Sequence, residues 1–195
     1  MPAANTAGAT TPSAPSAPAP SASSAAGAPV VSSNPAASVA PAPTTATVDP
    51  ENKTMPPLSS PELERSARDL FDAIVADDPS KAHDFFFPRE PFTPLKDVAN
   101  PDRYWLNLYR AYEHDIHQLH GKRRDWSSAS FESFELGSQP TWVKPGDEYN
   151  KVGYFRTFGG KLRYRFDGKR YTLKVHTLIS WNGRWTITHL LPFKK

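Results

Sequence analysis

Apolar positions are spread unevenly along this chain. The first 60 residues carry no apolar period of either helical or strand type, whereas the pattern from residue 61 onward is regular. Leu63, Ala67, Leu70, Phe71, Ile74 and Val75 recur at helical spacing. Ser60 ahead of Pro61 and Glu62 supplies an N-cap, a first-position proline and a first-turn acid. Asp77-Asp78-Pro79 ends this helix and opens a short second one, with Ala82, Phe85 and Phe86 inward and Pro88 as its stop. Residues 88–98 are interrupted by proline and read as loop, with room for one short strand. Asn100, Pro101 and Asp102 then begin a third helix that Gly121 ends. Trp105, Leu108, Tyr109, Tyr112, Ile116 and Leu119 form its apolar face, opposite Asn107, Arg110, His114, His117 and Gln118.

From Ser128 the period changes to two. Residues 130–136 alternate around Phe131, Phe134 and Leu136. Pro145-Gly146, Gly159-Gly160, Asp167-Gly168 and Asn182-Gly183 punctuate the rest as turns, predicting strands at about 150–158, 161–166, 169–181 and 184–191. Helices followed by an antiparallel meander place residues 59–195 in the α+β class.

Composition separates the two parts further. Residues 1–60 hold 12 of the 21 prolines and none of the Trp, Tyr or Phe. A segment so poor in apolar surface cannot offset an ordering entropy of roughly 1–2 kcal/mol per residue. Residues 1–58 are therefore expected to be a disordered tether. Asn52-Lys53-Thr54 within it is a glycosylation sequon. The chain's formal charge is +3, and the tether contributes −1 through Asp49, Glu51 and Lys53, leaving +4 on the domain. That is too little for a nucleic-acid signature, despite the Lys122-Arg123-Arg124 run, and no sequence-specific nucleic acid is expected. The absence of cysteine excludes disulfides, thiolate metal sites and cysteine nucleophiles. No apolar run reaches transmembrane length and no signal segment is visible. A Pro/Ala/Ser-rich tail ahead of a compact domain resembles the spacer of bacterial envelope proteins, so the expected location is the cell envelope or periplasm, otherwise the cytoplasm.

The element order and the final strand, Gly183-Arg184-Trp185-Thr186-Ile187-Thr188-His189-Leu190, resemble the NTF2-like superfamily with its SnoaL-like and ketosteroid-isomerase-like members. The resemblance spans residues 61–193. It implies a cone of N-terminal helices wrapped by a curved sheet, with a pocket at the open end and dimerisation through the sheet in many members. It transfers no catalytic residue onto this chain, and a fold that hosts isomerases, dehydratases and binding domains does not specify function.

Two-residue turns fix register, so opposed pairs can be read from the sequence. The Asn182-Gly183 turn sets His176 opposite His189, a proton-transfer couple or two ligands of a metal lacking its third. The other turns set Arg165 opposite Arg170, Lys161 opposite Lys174, Arg156 opposite Arg163 and Tyr154 opposite Arg165. Arg156, Arg163, Arg165, Arg170 and Lys174, with Tyr154 nearby, would then share a face with the two histidines as an anion or acidic-partner site. Like charges opposed on a sheet need neutralising, by Glu132, Glu135, Asp147 or Glu148 or by an anionic ligand. His114 and His117 lie a turn apart on a polar helix face, without the order of a zinc hydrolase. No metal or cofactor is expected. The leading expectation is non-catalytic binding of a small ligand or a protein partner. The alternatives are an NTF2-like lyase, isomerase or hydrolase using His176 and His189 with Tyr112 or Asp115, and a module docking an acidic partner on the basic face. A homodimer is compatible with each.

Overall fold

A computed structural model describes residues 49–192 of the chain. The expected tether up to Val48 lies outside the described residues. Three α-helices, α1 (Pro61–Ala76), α2 (Arg89–Leu95) and α3 (Pro101–His120), pack on a five-stranded antiparallel sheet, so the α+β reading holds. The strands are β1 (Ser130–Glu135), β2 (Thr141–Val143), β3 (Tyr154–Phe166), β4 (Lys169–Trp181) and β5 (Arg184–His189). Their order is β1-β3-β4-β5, with β2 also pairing β3, and the open sheet is curved. Among the described residues no helix is long and apolar enough to cross a membrane.

The local signals around α1 and α3 act as expected. Ser60 accepts a hydrogen bond from the Leu63 N–H (3.1 Å), and Asn100 accepts one from the Arg103 N–H (2.9 Å). Asp77 takes the left-handed conformation that ends α1, and Asp78 caps the 3₁₀ helix Pro79–Phe85. Leu63, Ala67, Leu70, Phe71 and Ile74 are buried, as are Trp105, Leu108, Tyr112, Ile116 and Leu119 on α3. Phe86 packs on the α3 set, its ring lying 5.1–5.9 Å from those of Trp105, Tyr109 and Tyr112.

Three expectations are corrected. Residues 88–98 contain α2, although Pro94 sits inside it, because Phe92 and Leu95 are buried and packing outweighs the local cost of proline. Gly159-Gly160 is not a turn: β3 runs through it and pairs with β4 from Arg156↔Ile179 to Phe166↔Lys169. Gly159 bends the strand at φ +69°, and Gly160 must be bare because a Cβ there would meet the Phe134 ring at 2.8 Å and Leu178 at 3.2 Å. Finally, residues 49–58 are docked on the domain. Asn52 is 1% exposed and bonded to Gly153, Ser180 and Asn182, and the Trp185 indole donates to the Pro57 carbonyl (3.0 Å).

Candidate functional site

A cavity of about 410 Å³ opens between α2, α3 and the β3-β4-β5 part of the sheet. Phe92 and Leu95 from α2 and Leu108 from α3 give it an apolar wall, with Ile179 of β4 opposite. Tyr104, Tyr149 and Phe158 are exposed and form an aromatic rim. The polar groups that converge on it are Lys96, Glu148, Tyr154, Arg156, His176 and His189.

Glu148 reaches the cavity because of an unusual loop. Gly146, Glu148 and Tyr149 all have left-handed φ (+90°, +52° and +58°), which costs the two non-glycine residues about 1 kcal/mol each. Four hydrogen bonds offset this. Gly146 N–H donates to the Asn150 carbonyl, Asp97 N–H to that of Tyr149 and Lys151 N–H to that of Leu95, each 2.7 Å, and Asn150 Nδ2 donates to Tyr154 Oη (3.0 Å). The Glu148 carboxylate then turns inward, accepting from Tyr154 Oη (2.7 Å) and pairing with Arg156, while Tyr149 stays 73% exposed. Two consecutive left-handed non-glycine residues mark strain beside a cavity, where function tends to retain it.

Electrostatics follow from this packing. Burial would raise the Glu148 carboxyl, but hydrogen bonds from Tyr154 and Arg156 outweigh it and hold the group below the usual carboxylate range. Burial, reinforced by the Glu148 charge, raises the Tyr154 phenol and keeps it protonated. Burial lowers Lys96, whose ammonium lies 5.8–5.9 Å from the Tyr104 and Phe92 rings and donates to the Glu148 carbonyl (3.4 Å). Arg156 lies 4.8 Å above the Phe158 ring. Lys96, Arg156 and Glu148 leave the cavity one positive charge in excess.

The two histidines are brought together, but not as direct opposites. A β-bulge at Thr177–Leu178 shifts the register by one, so His189 pairs with Thr177 and the His176 N–H donates to the Leu190 carbonyl (2.9 Å). The rings are nevertheless neighbours, edge to face at 6.4 Å, with Phe158 against His176 at 5.9 Å. Nδ1 of His176 is 2.7 Å from Thr177 Oγ1, and that of His189 is 3.1 Å from Thr188 Oγ1. Burial first, then the His176 and Lys96 charges, lowers His189 to about 4. The unfolded imidazole binds its proton below pH 6.5 and the folded one only near pH 4, so this contribution to stability is complete above pH 6.5 and lost as pH falls towards 4. After solvent screening at its open side it is about 1–2 kcal/mol. His189→Gln should therefore flatten the melting-temperature profile between pH 7 and pH 4.5; an unchanged profile would remove His189 as the cause.

The remaining expected site residues are elsewhere. Because β3 is continuous, Arg156 pairs with Ile179 and lines the cavity, apart from the other arginines, and Arg163 faces Thr172. Tyr154 likewise lies at the cavity and not opposite Arg165. Arg165↔Arg170 and Lys161↔Lys174 do pair as the Asp167-Gly168 turn implies. The opposed charges are compensated in part from within: Glu132 accepts from Arg165 and Arg170 (both 2.5 Å), and Glu135 pairs with Arg163. Hydrogen bonds from Arg170 lead the causes that hold Glu132 below its usual value, and the bond from Arg163 does so for Glu135. Lys174 borders a different cavity. Tyr112 and Asp115 line a smaller one of about 180 Å³ on the far side of His189, where Tyr112 Oη donates to the Pro79 carbonyl (3.4 Å) and Asp115 accepts from the Leu191 N–H (3.0 Å). His114 and His117 are exposed, His117 beside Asp77 at 2.6 Å, and no group of three potential metal ligands occurs among the described residues. Lys96 was not singled out from the sequence, since only the fold of α2 carries it to Glu148. Comparison of the chain with family models, curated proteins and solved structures returned no match.

Proposed function

We propose that this domain binds a small planar organic anion, such as an aromatic carboxylate, in the 410 Å³ cavity without transforming it. The observation that carries the reading is the convergence of Lys96 and Arg156, against the single carboxylate of Glu148, on a cavity with an apolar wall and an aromatic rim. Its volume suits such a ligand, its apolar wall supplies the driving force, and a few fixed polar groups set orientation. The helices-then-meander order and the curved sheet support an NTF2-like relationship as part of the same proposal. The expected envelope location rests on the composition of residues 1–58.

A thermal-shift screen of the full chain against aromatic carboxylates, neutral steroid-like compounds and inorganic anions tests this. A ligand at 100 times its Kd adds about 2.7 kcal/mol and raises the midpoint by several degrees. Aromatic carboxylates should do so, and Arg156→Gln should abolish the shift. A response confined to neutral compounds, or one indifferent to Arg156, would overturn the reading.

A second reading is proton transfer, favoured by a neutral His189 imidazole at the cavity beside His176. Incubating bound compounds in heavy water distinguishes them. Deuterium exchange at a ligand carbon that His189→Gln stops would establish acid–base chemistry, and none would leave binding alone.

A further inference from the structure

We propose that the free edge of β4 docks an extended acidic peptide by strand addition. The surface is separate from the cavity described above. β3 pairs with β4 along the strand to Lys169, but β5 pairs only with Thr177–Trp181. Residues 169–175 of β4 consequently have no strand on their other side among the described residues. The His176 N–H points to that side, towards the Leu190 carbonyl. With a period of two, Arg170, Thr172 and Lys174 present their N–H and C=O groups the same way. Such a row is a template for another strand.

The surroundings specify the charge of the incoming strand. A cavity of about 400 Å³ runs beside this edge, with Leu119, Trp126 and Leu191 as its apolar part and Lys122, Arg123 and Lys174 as its charged part. It has no carboxylate in its lining, and no ion pair involves these three cations among the described residues. This contrasts with Arg163, Arg165 and Arg170, each of which is ion-paired with Glu132 or Glu135. Arg123 is held in place: its guanidinium lies 4.0 Å from the Phe166 ring centre and 4.2 Å from that of Tyr171, and Nη2 donates to Tyr164 Oη (3.2 Å). Aromatic clamping fixes the cation without neutralising it. The Lys122-Arg123-Arg124 run thereby acquires a role the ligand cavity does not use. Alternating acidic and apolar side chains fit an edge of this kind, where cations and apolar side chains line the same cavity.

The test is fluorescence anisotropy of a labelled (Glu-Val)₄ peptide titrated with the full chain. We expect saturable binding that weakens as salt rises, about tenfold weaker for Lys122→Glu or Lys174→Glu. Thr172→Pro, which removes an outward N–H and no ladder bond, should also weaken it, with circular dichroism confirming that each variant is folded. A peptide N-methylated at alternate residues keeps its charge and loses the donors of one edge, and it should not bind. The proposal is overturned if the N-methylated or the (Lys-Val)₄ peptide binds equally well, or if no peptide binds. It is also overturned if sedimentation shows a dimer that Thr172→Pro dissociates, since a second copy would then be the occupant.

Discussion

Asn52→Ala should cost the domain about 3–4 kcal/mol, near the top of the range for single substitutions. The side chain is almost wholly buried and makes three hydrogen bonds. Nδ2 donates to the carbonyls of Gly153 and Ser180 (both 3.0 Å), and Oδ1 accepts from the Asn182 N–H (3.1 Å). Alanine would strand these buried backbone groups, at about 1–3 kcal/mol for each that water cannot reach. It would also occupy φ +51°, which asparagine tolerates and alanine resists by about 1 kcal/mol. For a domain of this size the midpoint should fall by about 10 °C. Asn52→Asp should be at least as damaging, because it loses both donors and turns a carboxylate oxygen towards two carbonyls. A loss below about 1 kcal/mol in either variant would mean that residues 49–58 are not docked in solution. The same bonds occupy the nitrogen a glycan would need, so the folded protein should remain unmodified at the sequon when presented to a glycosylating enzyme.

Gly137→Ala should destabilise by about 3 kcal/mol through backbone overlap and not through lost contacts. A Cβ on Gly137 would collide with the carbonyl oxygens of Phe158 and Gly159. Neither side can retreat cheaply. Ser138 N–H donates to the Phe158 carbonyl (2.9 Å), Phe158 N–H to Ser138 Oγ (3.0 Å) and Thr157 Oγ1 to the Ser138 carbonyl (2.7 Å). Phe158 belongs to the cavity rim and carries Arg156 on its ring, so the substitution should weaken ligand binding as well. Gly121→Ala is the control. Gly121 has helical φ (−62°), and its Cβ would meet the His117 carbonyl at an ordinary 3.4 Å, so its effect should stay within about 0.5 kcal/mol. Similar unfolding curves for the two variants would show that the crossing at Gly137 is looser than this packing.

Much of the fold was legible because its signals are local. Ser60 and Asn100 cap helices with their own side chains, and the Asp167-Gly168 and Asn182-Gly183 turns set the residues that flank them. The Arg165↔Arg170 and Lys161↔Lys174 pairs followed from one such turn. The site was less legible, since register propagates only until something interrupts it. The Thr177–Leu178 bulge moved His176 and His189 off direct opposition, and the assumed Gly159-Gly160 turn misplaced Arg156 and Tyr154. Gly-Gly has two uses, a turn or a close approach, and the second depends on Phe134 and Leu178, which are distant in sequence.

By itself the sequence determined the helices α1 and α3, the hairpins at Asp167-Gly168 and Asn182-Gly183 and the α+β class. Each of these rests on interactions between residues a few positions apart, which composition and period record. Tertiary structure alone decided that α2 forms across a proline, that Asn52 anchors the segment before α1, and that Lys96, Glu148 and Arg156 meet at one cavity. It also left one side of β4 from residue 169 to 175 without a paired strand among the described residues. The reason is physical: burial and long-range hydrogen bonds outweigh local preference where they are dense, and their partners lie up to 130 residues apart in the chain.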